Sequence, residues 1–379
     1  MSAPAGTVLL RDGDVRTGRR ALPGGWVLLR GARVLAAGAG EPPVAQGAEV
    51  VDAAGHLVVP GFVDLHCHGG GGASFGGTGE AAVAAARTVA AAHRAHGTTT
   101  LLASLVTRPV AELAGSLTAL AGLVAEGVLA GAHLEGPWLD PDHRGAHEAA
   151  LLRAPAAADV DRLLGTGLVR VVTLAPELPG GLDAVRRVTG HGAVAAIGHT
   201  GADETTTRAA VDAGARLATH LFNAMPPVHH RRPGPVLALL ADERVVVELV
   251  ADGVHLHPLT LAHAARTAGP ARTALVTDAM AAAGAGDGTY RLGGLEAVVE
   301  RGVARLAAGG AIAGSTLTLD RALRFAVTAA GVPLDDALAA VTTVPAALLG
   351  RADRGHLEPG ATGGAVVLDA HLRPVRVVA

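Results

Sequence analysis

The chain has 379 residues, 50% of them hydrophobic, which is enough for a large buried core and a second, smaller unit. Only 17% are charged and the net charge is -3, so no basic surplus exists to neutralise a phosphate backbone, and nucleic acid is not an expected partner. Cys67 is the single cysteine, which excludes an intrachain disulfide framework. The N-terminal MSAPAGTVLLRDGD lacks the basic and long apolar regions of a secretory signal. No apolar run approaches the length of a membrane span, so no membrane association is expected and a cytoplasmic location is.

Residues 1 to 58 alternate short apolar runs with Gly and Pro, as in Thr7 to Leu10, Trp26 to Gly38 and Glu49 to Gly61, and read as strands and tight turns. The C-terminal HLEPGATGGAVVLDAHLRPVRVVA looks alike. Neither end closes a domain alone, so residues 1–58 with 347–379 are expected to form one small β-sandwich. Between them, over 59–346, strand-like runs alternate with Ala-rich helical stretches, the signature of βαβ units. The runs end at His68, Ser104, Gly136, Glu177, Thr200, Met225, His255 and Met280. Eight such units in about 290 residues predict an α/β fold, a (β/α)8 barrel. Past the eighth run, Thr289 to Ala307 reads as a hairpin, and Asp320 to Ala330 and Leu334 to Leu349 as helices.

Barrel enzymes build their sites at the C-terminal ends of the strands, and metal-binding side chains recur there. The first run ends in His66-Cys67-His68, the third in HLEG with Glu135, the fifth in His199, the sixth carries His220 and the eighth Asp278. His66 and His68 are two residues apart, which on a strand puts both imidazoles on one face and suits Zn2+ or another divalent transition metal. Cys67 then faces the other way, into the core. Glu135 stands at a strand lip, because Gly136 and Pro137 force a turn; a carboxylate there is costly to bury unless paired or metal-bound. Each residue has a blander reading. The histidine pair could sit on an exposed turn, Glu135 in a solvated loop, His199 and His220 in the core, and Asp278 at a helix N-cap. The joint pattern at five strand ends favours a metal site. The Gly69 to Gly77 stretch is expected to form a loop near it.

The order HxH, Glu, His, His, Asp resembles the amidohydrolase superfamily. Many members bridge two metals with a carboxylated lysine. All 31 basic residues counted as Lys+Arg here are Arg, so that subtype is excluded and Glu135 is the natural replacement. The phrases PGFVDLHCHG, HLEGPWL, GHT, THLFNAM, ADGVHLHP, LVTDAM and IAGST are similar to those of the N-acetylglucosamine-6-phosphate deacetylase family over nearly the whole chain. That resemblance implies hydrolysis of the acetyl group to glucosamine 6-phosphate and acetate, in amino-sugar catabolism or cell-wall recycling. It implies one or two divalent metals per subunit, with Zn2+ the first choice and Fe2+, Mn2+ or Co2+ the alternatives. Glu135, His199 and His220 would hold the principal metal, and His66 and His68 a second with Glu135 shared. Asp278 would be the catalytic acid/base. His147 and His255 would contact the sugar, and Asn223 and Ala224 would donate to the 6-phosphate. Arg231, or Arg232 beside it, would reach that phosphate from the neighbouring subunit of a homodimer. A deacetylase of another amino-sugar phosphate, such as the galactosamine epimer, is the alternative substrate class. A non-catalytic scaffold is the alternative of another kind, and it predicts lost ligands.

Overall fold

The computed structural model describes residues 6–43 and 45–379; residues 1–5 and 44 of the expected N-terminal unit lie outside the described residues. Eight parallel strands follow one another in sequence and in space: Phe62–Asp64, Thr98–Val106, Gly131–Glu135, Val169–Leu174, Val194–Ile197, Leu217–Ala218, Val246–Val250 and Thr273–Val276. Each is followed by a helix, the first Gly79–Ala95 and the last Leu319–Thr328. The helices form because their apolar residues recur at helical spacing. Gly79–Ala95 buries Ala82, Ala86, Val89 and His93, one face of a 3.6-residue period. Val110–Ala125 buries Leu113, Leu117, Leu120 and Leu123, each worth about 1.5–3 kcal/mol on burial.

The first and eighth strands meet just beyond their regular ends. The Asp278 amide donates to His66 O at 2.8 Å, and the His68 amide to Ala279 O at 2.7 Å. Asp64 sits in this seam, wholly buried. Its Oδ2 accepts the Thr277 hydroxyl at 2.6 Å, and its Oδ1 accepts the amides of His66 and Thr277 at 3.3 Å. Burial pushes its carboxyl up to about 7, against those hydrogen bonds. The backbone that carries His66 and Asp278 is thus fixed by the contact that closes the barrel.

Both termini contribute to one hydrogen-bonded sheet of seven strands, in which Ala365–Leu368 pairs with Leu57–Pro60 and Leu57–Pro60 with Thr7–Arg16. It folds over its own apolar cluster, including Leu10, Val15, Val27, Leu29 and Val367. The expected hairpin is a three-stranded antiparallel sheet, Gly288–Leu292, Leu295–Glu300 and Val303–Leu306, packed on Met280, Ala281 and Ala282 beside the barrel mouth. The expected helix from Leu334 to Leu349 breaks into Leu334–Val341 and Thr343–Leu348. Pro345 is the physical reason: within a continuous helix its ring would clash with the carbonyl of Val341. Residues Gly69 to Gly77 are not an open loop at their start. Gly69–Gly70 pairs with Ala73–Ser74, and Gly71 and Gly72 donate to Ala283 O and Ala281 O at 2.7 and 2.8 Å. A Cβ at Gly69 would lie 2.5 Å from Ala73 O, so a larger residue could not make this approach. No helix among the described residues is long and apolar enough to cross a membrane.

Candidate metal centre and active site

The strand ends place the expected residues in one cluster at the C-terminal mouth. His199, His220 and Asp278 adopt φ of 50°, 26° and 48°, a region that non-glycine residues rarely occupy. Such strain persists where the surroundings enforce it and concentrates at functional sites. All three side chains line the cavity at the mouth. His66, His68, Glu135, His147, His199, His220 and Asp278 are all buried.

Glu135 lies at the centre. Its Oε1 is 3.1 Å from Nε2 of both His199 and His220 and 3.4 Å from Nε2 of His66. Its Oε2 is 3.1 Å from Nε2 of His68 and 3.2 Å from Nε2 of His147. Asp278 Oδ1 stands 3.4 Å from His66 Nε2 and 3.3 Å from His68 Nε2. His66 and His68 bring their Nε2 atoms to 3.0 Å, and so do His199 and His220.

Hydrogen-bond chemistry shows that these residues fit a cation. Nδ1 of His68 faces Ser104 O at 3.2 Å, and Nδ1 of His199 faces His143 O at 2.9 Å. A carbonyl only accepts, so each Nδ1 carries a proton, and whenever the ring is neutral its Nε2 is bare. His66 Nδ1 faces the carboxylate of Glu248 at 3.2 Å, with the same result. The bare nitrogens of neutral His66 and His68 cannot bond each other; they converge for a cation between them. The donors' separations of 3.0 to 3.4 Å lie close to the donor–donor edges of about 3.3–3.4 Å that tetrahedral ligand bonds near 2.0–2.1 Å impose. His66, His68 and Asp278 form one group of metal-ligand geometry, and Glu135 with His147 and His199 form another. His147 differs from the rest, because the Thr107 amide donates to its Nδ1 at 3.4 Å. Its proton is therefore on Nε2, which makes it a donor toward Glu135 and the cavity rather than a ligand.

Electrostatics agree with metal binding. Burial lowers His199 to about 4, only partly opposed by Glu135, so this ring is neutral, as a ligand must be. Burial would also lower His68, but its contacts with Asp278 and Glu135 raise it to about 9. Burial likewise opposes the charged form of His66, and Glu135 and Asp278 outweigh it. Burial would raise Asp278; the neighbouring His66 and His68 bring it down instead. Without a cation, protons on the strand-one pair neutralise the two carboxylates, so metal uptake must release them.

A cavity of about 220 Å³ opens above the cluster, lined by His68, Glu135, His147, His199, His220, Asn223, Ala224, His255 and Asp278. Leu292, Ile312 and Gly314 close its far wall. His255 is positioned by Asp252, whose Oδ2 lies 2.6 Å from its Nδ1, and its Nε2 is 3.7 Å from Asp278 Oδ2. The stretch from Asp140 to Glu148 covers the site. Its Gly145, at φ 54°, lies so close that an added Cβ would be 3.1 Å from the His199 ring. The Asn223 amide is turned inward onto His220 O at 3.0 Å, so it is not free to serve as a backbone phosphate donor. Arg231 is exposed, as is Arg232, and neither lines this cavity.

Several contributors were missed from sequence. Ser104 and Thr107 act from the second strand and its end, and Glu248 from the seventh. Glu248 alone had a visible signal, a charged residue inside the apolar run VVVELV. Ser104 and Thr107 are ordinary strand residues, and only the fold shows what they touch.

A match to the amidohydrolase family spans residues 57–378. An N-acetylgalactosamine-6-phosphate deacetylase of Escherichia coli O157:H7 is 38% identical over 324 residues, covering 83% of this chain and 84% of that protein. An N-acetylglucosamine-6-phosphate deacetylase of Bos taurus is 38% identical over 336 residues, covering 85% and 81%. Among solved structures, a variant of the Mycobacterium smegmatis N-acetyl-D-glucosamine-6-phosphate deacetylase in complex with N-acetyl-D-glucosamine-6-phosphate superposes with a TM-score of 0.92. Its sequence is 45% identical, and 98% of each chain is covered. The family is metal-dependent, in keeping with the ligand groups described above. The chain belongs to the amidohydrolase family and to its N-acetylglucosamine-6-phosphate deacetylase group.

Proposed function

We propose that the chain hydrolyses the N-acetyl group of N-acetylglucosamine 6-phosphate, giving glucosamine 6-phosphate and acetate. The observation that carries the reading is the placing of Asp278: a buried carboxylate at the floor of the cavity, 3.3 Å from a proposed ligand and facing His255. Glu135, His199 and His220 would hold the principal divalent cation, and His66 and His68 a second, with Zn2+ our choice. When bound, the cation supplies Lewis-acid polarisation of the amide carbonyl and lowers the pKa of water toward about 7.

The protein's own groups do the rest. Asp278 accepts the proton of the attacking water on a carboxylate oxygen and returns it to the departing amine nitrogen; one carboxylate serves both steps, because the proton taken is the proton returned. The Nε2–H of His147 donates to the carbonyl oxygen as negative charge develops there. His255, oriented by Asp252, contacts the sugar. The amide of Ala224, with Asn223 beside it on the cavity wall, would take the phosphate end, and an arginine fork suits a phosphate dianion. We assign that fork to Arg231 of a partner subunit in a homodimer, a reading that its exposed position supports. We also propose a cytoplasmic location and a division into a barrel, 59–346, and a terminal unit, 1–58 with 347–379.

A second reading concerns the epimer. The relative from Escherichia coli O157:H7 that is named for N-acetylgalactosamine 6-phosphate is as similar, at 38% identity, as the one from Bos taurus. Measuring kcat/KM on the two epimers decides between them. A preference of tenfold or more for the glucosamine epimer supports the first reading, and the reverse preference replaces it with the second.

A further inference from the structure

We propose that Glu248 is a positioning residue that sets the geometry of both halves of the metal centre; the inference rests on the metal-centre reading above. Glu248 lies within the seventh barrel strand, Val246–Val250, between wholly buried Val247 and Leu249, and is itself wholly buried. A carboxylate in such surroundings is costly unless something compensates it. Its Oε1 has no hydrogen-bond partner, so what keeps an acid here is the work of Oε2.

That one oxygen serves two ligands that arrive from different strands. It lies 3.2 Å from Nδ1 of His66 and accepts the amide of His220 at 3.1 Å. The first contact holds the proton of His66 on Nδ1 and turns a bare Nε2 toward Glu135 and Asp278. A carboxylate partner also makes that Nε2 a stronger donor to a cation. The second contact secures the backbone of His220, whose φ of 26° is sparsely populated and needs its surroundings to hold it. The main chain adds a third grip, because the Leu221 amide donates to Glu248 O at 2.9 Å. Glu248 therefore ties the strand-one histidine pair to the Glu135, His199 and His220 set.

The amide of Glu248→Gln keeps an accepting oxygen but loses the charge. Glu248→Met fills similar space and removes both contacts. The experiment titrates metal-free protein with Zn2+ against a chromophoric chelator and records the visible spectrum of the Co2+-substituted forms. Circular dichroism and thermal melting of the metal-free proteins report folding separately. Loss of such an outer partner costs roughly 10–100-fold in metal affinity. We expect Glu248→Gln near the lower figure, Glu248→Met near the upper, and an altered Co2+ spectrum in both. Wild-type affinity and spectrum in Glu248→Gln would overturn the proposal, and that variant decides alone if Glu248→Met does not fold. Wild-type protein that binds no metal would instead overturn the metal-centre reading, and this inference with it.

Discussion

The amide of Thr107 donates to Nδ1 of His147 from 3.4 Å, and the Thr107 hydroxyl lies 2.8 Å from the same nitrogen. The amide holds the His147 proton on Nε2, 3.2 Å from Glu135 Oε2, while the hydroxyl donates to Glu135 O at 3.4 Å. His147 is thus separated from His199, which stands beside the same carboxylate but presents a bare nitrogen. The two rings stack edge to face with centroids 4.7 Å apart, so proximity alone does not distinguish their roles.

Substitution separates them. His147→Phe should retain its metal and lower kcat by about 10²–10³-fold, the usual cost of one oxyanion donor. His199→Phe should lose metal as well as activity. Metal analysis of the purified variants beside steady-state kinetics checks this. A metal-depleted His147→Phe would make His147 a ligand and contradict the tautomer argument.

Asp64 predicts a pH dependence of stability. Its folded carboxyl is raised by burial to about 7, from the ordinary carboxylate value of 3.8. Between those values the folded state binds more protons than the unfolded one, so stability falls as pH rises through this window. The full penalty, of order 4 kcal/mol, stands above pH 7. Asp64→Asn keeps the shape of the seam and removes the charge, so the metal-free variant should be the more stable protein at pH 8 and nearly equal at pH 4. Urea midpoints of both metal-free proteins across that range test this. Parallel pH profiles would show that Asp64 is not the titrating group.

The phosphate assignment is tested at the exposed turn. Arg231→Ala should raise KM for the phosphorylated sugar by roughly 10–100-fold, as expected for loss of a charge-assisted contact. It should leave residual turnover of unphosphorylated N-acetylglucosamine unchanged. Arg232→Ala should behave as wild type. Because the arginine is assigned to a partner's cavity, mixing Arg231→Ala with Asp278→Asn should restore the wild-type KM at one site of each hybrid dimer. Failure to restore it, with dimers shown to exchange, would place the arginine in its own subunit.

Much of this site was legible in the chain because metal ligation demands particular residue types, and the barrel demands that they lie at strand ends. His66, Glu135, His199, His220 and Asp278 each close or follow an apolar run, and all converge within one cluster. The supporting contacts were not legible. Ser104, Thr107 and Thr277 are common strand residues whose hydroxyls and backbone acquire meaning only when the barrel closes. The inward turn of the Asn223 amide was hidden for a related reason: it depends on positive φ at Phe222 and Ala224, residue types that carry no sequence signal for that conformation. The broken helix at Thr342 could have been foreseen from Pro345, whose ring forbids the continuous helix that the apolar pattern suggested.

The most direct test of the account is acetate release from N-acetylglucosamine 6-phosphate by metal-free protein, by the same protein restored with Zn2+, and by metal-replete Asp278→Asn. Turnover is expected only after restoration. A loss of about 10²–10⁴-fold is also expected in Asp278→Asn, the range for a general acid–base group, with metal content intact. Full activity in the metal-free protein, or in Asp278→Asn, would contradict the account.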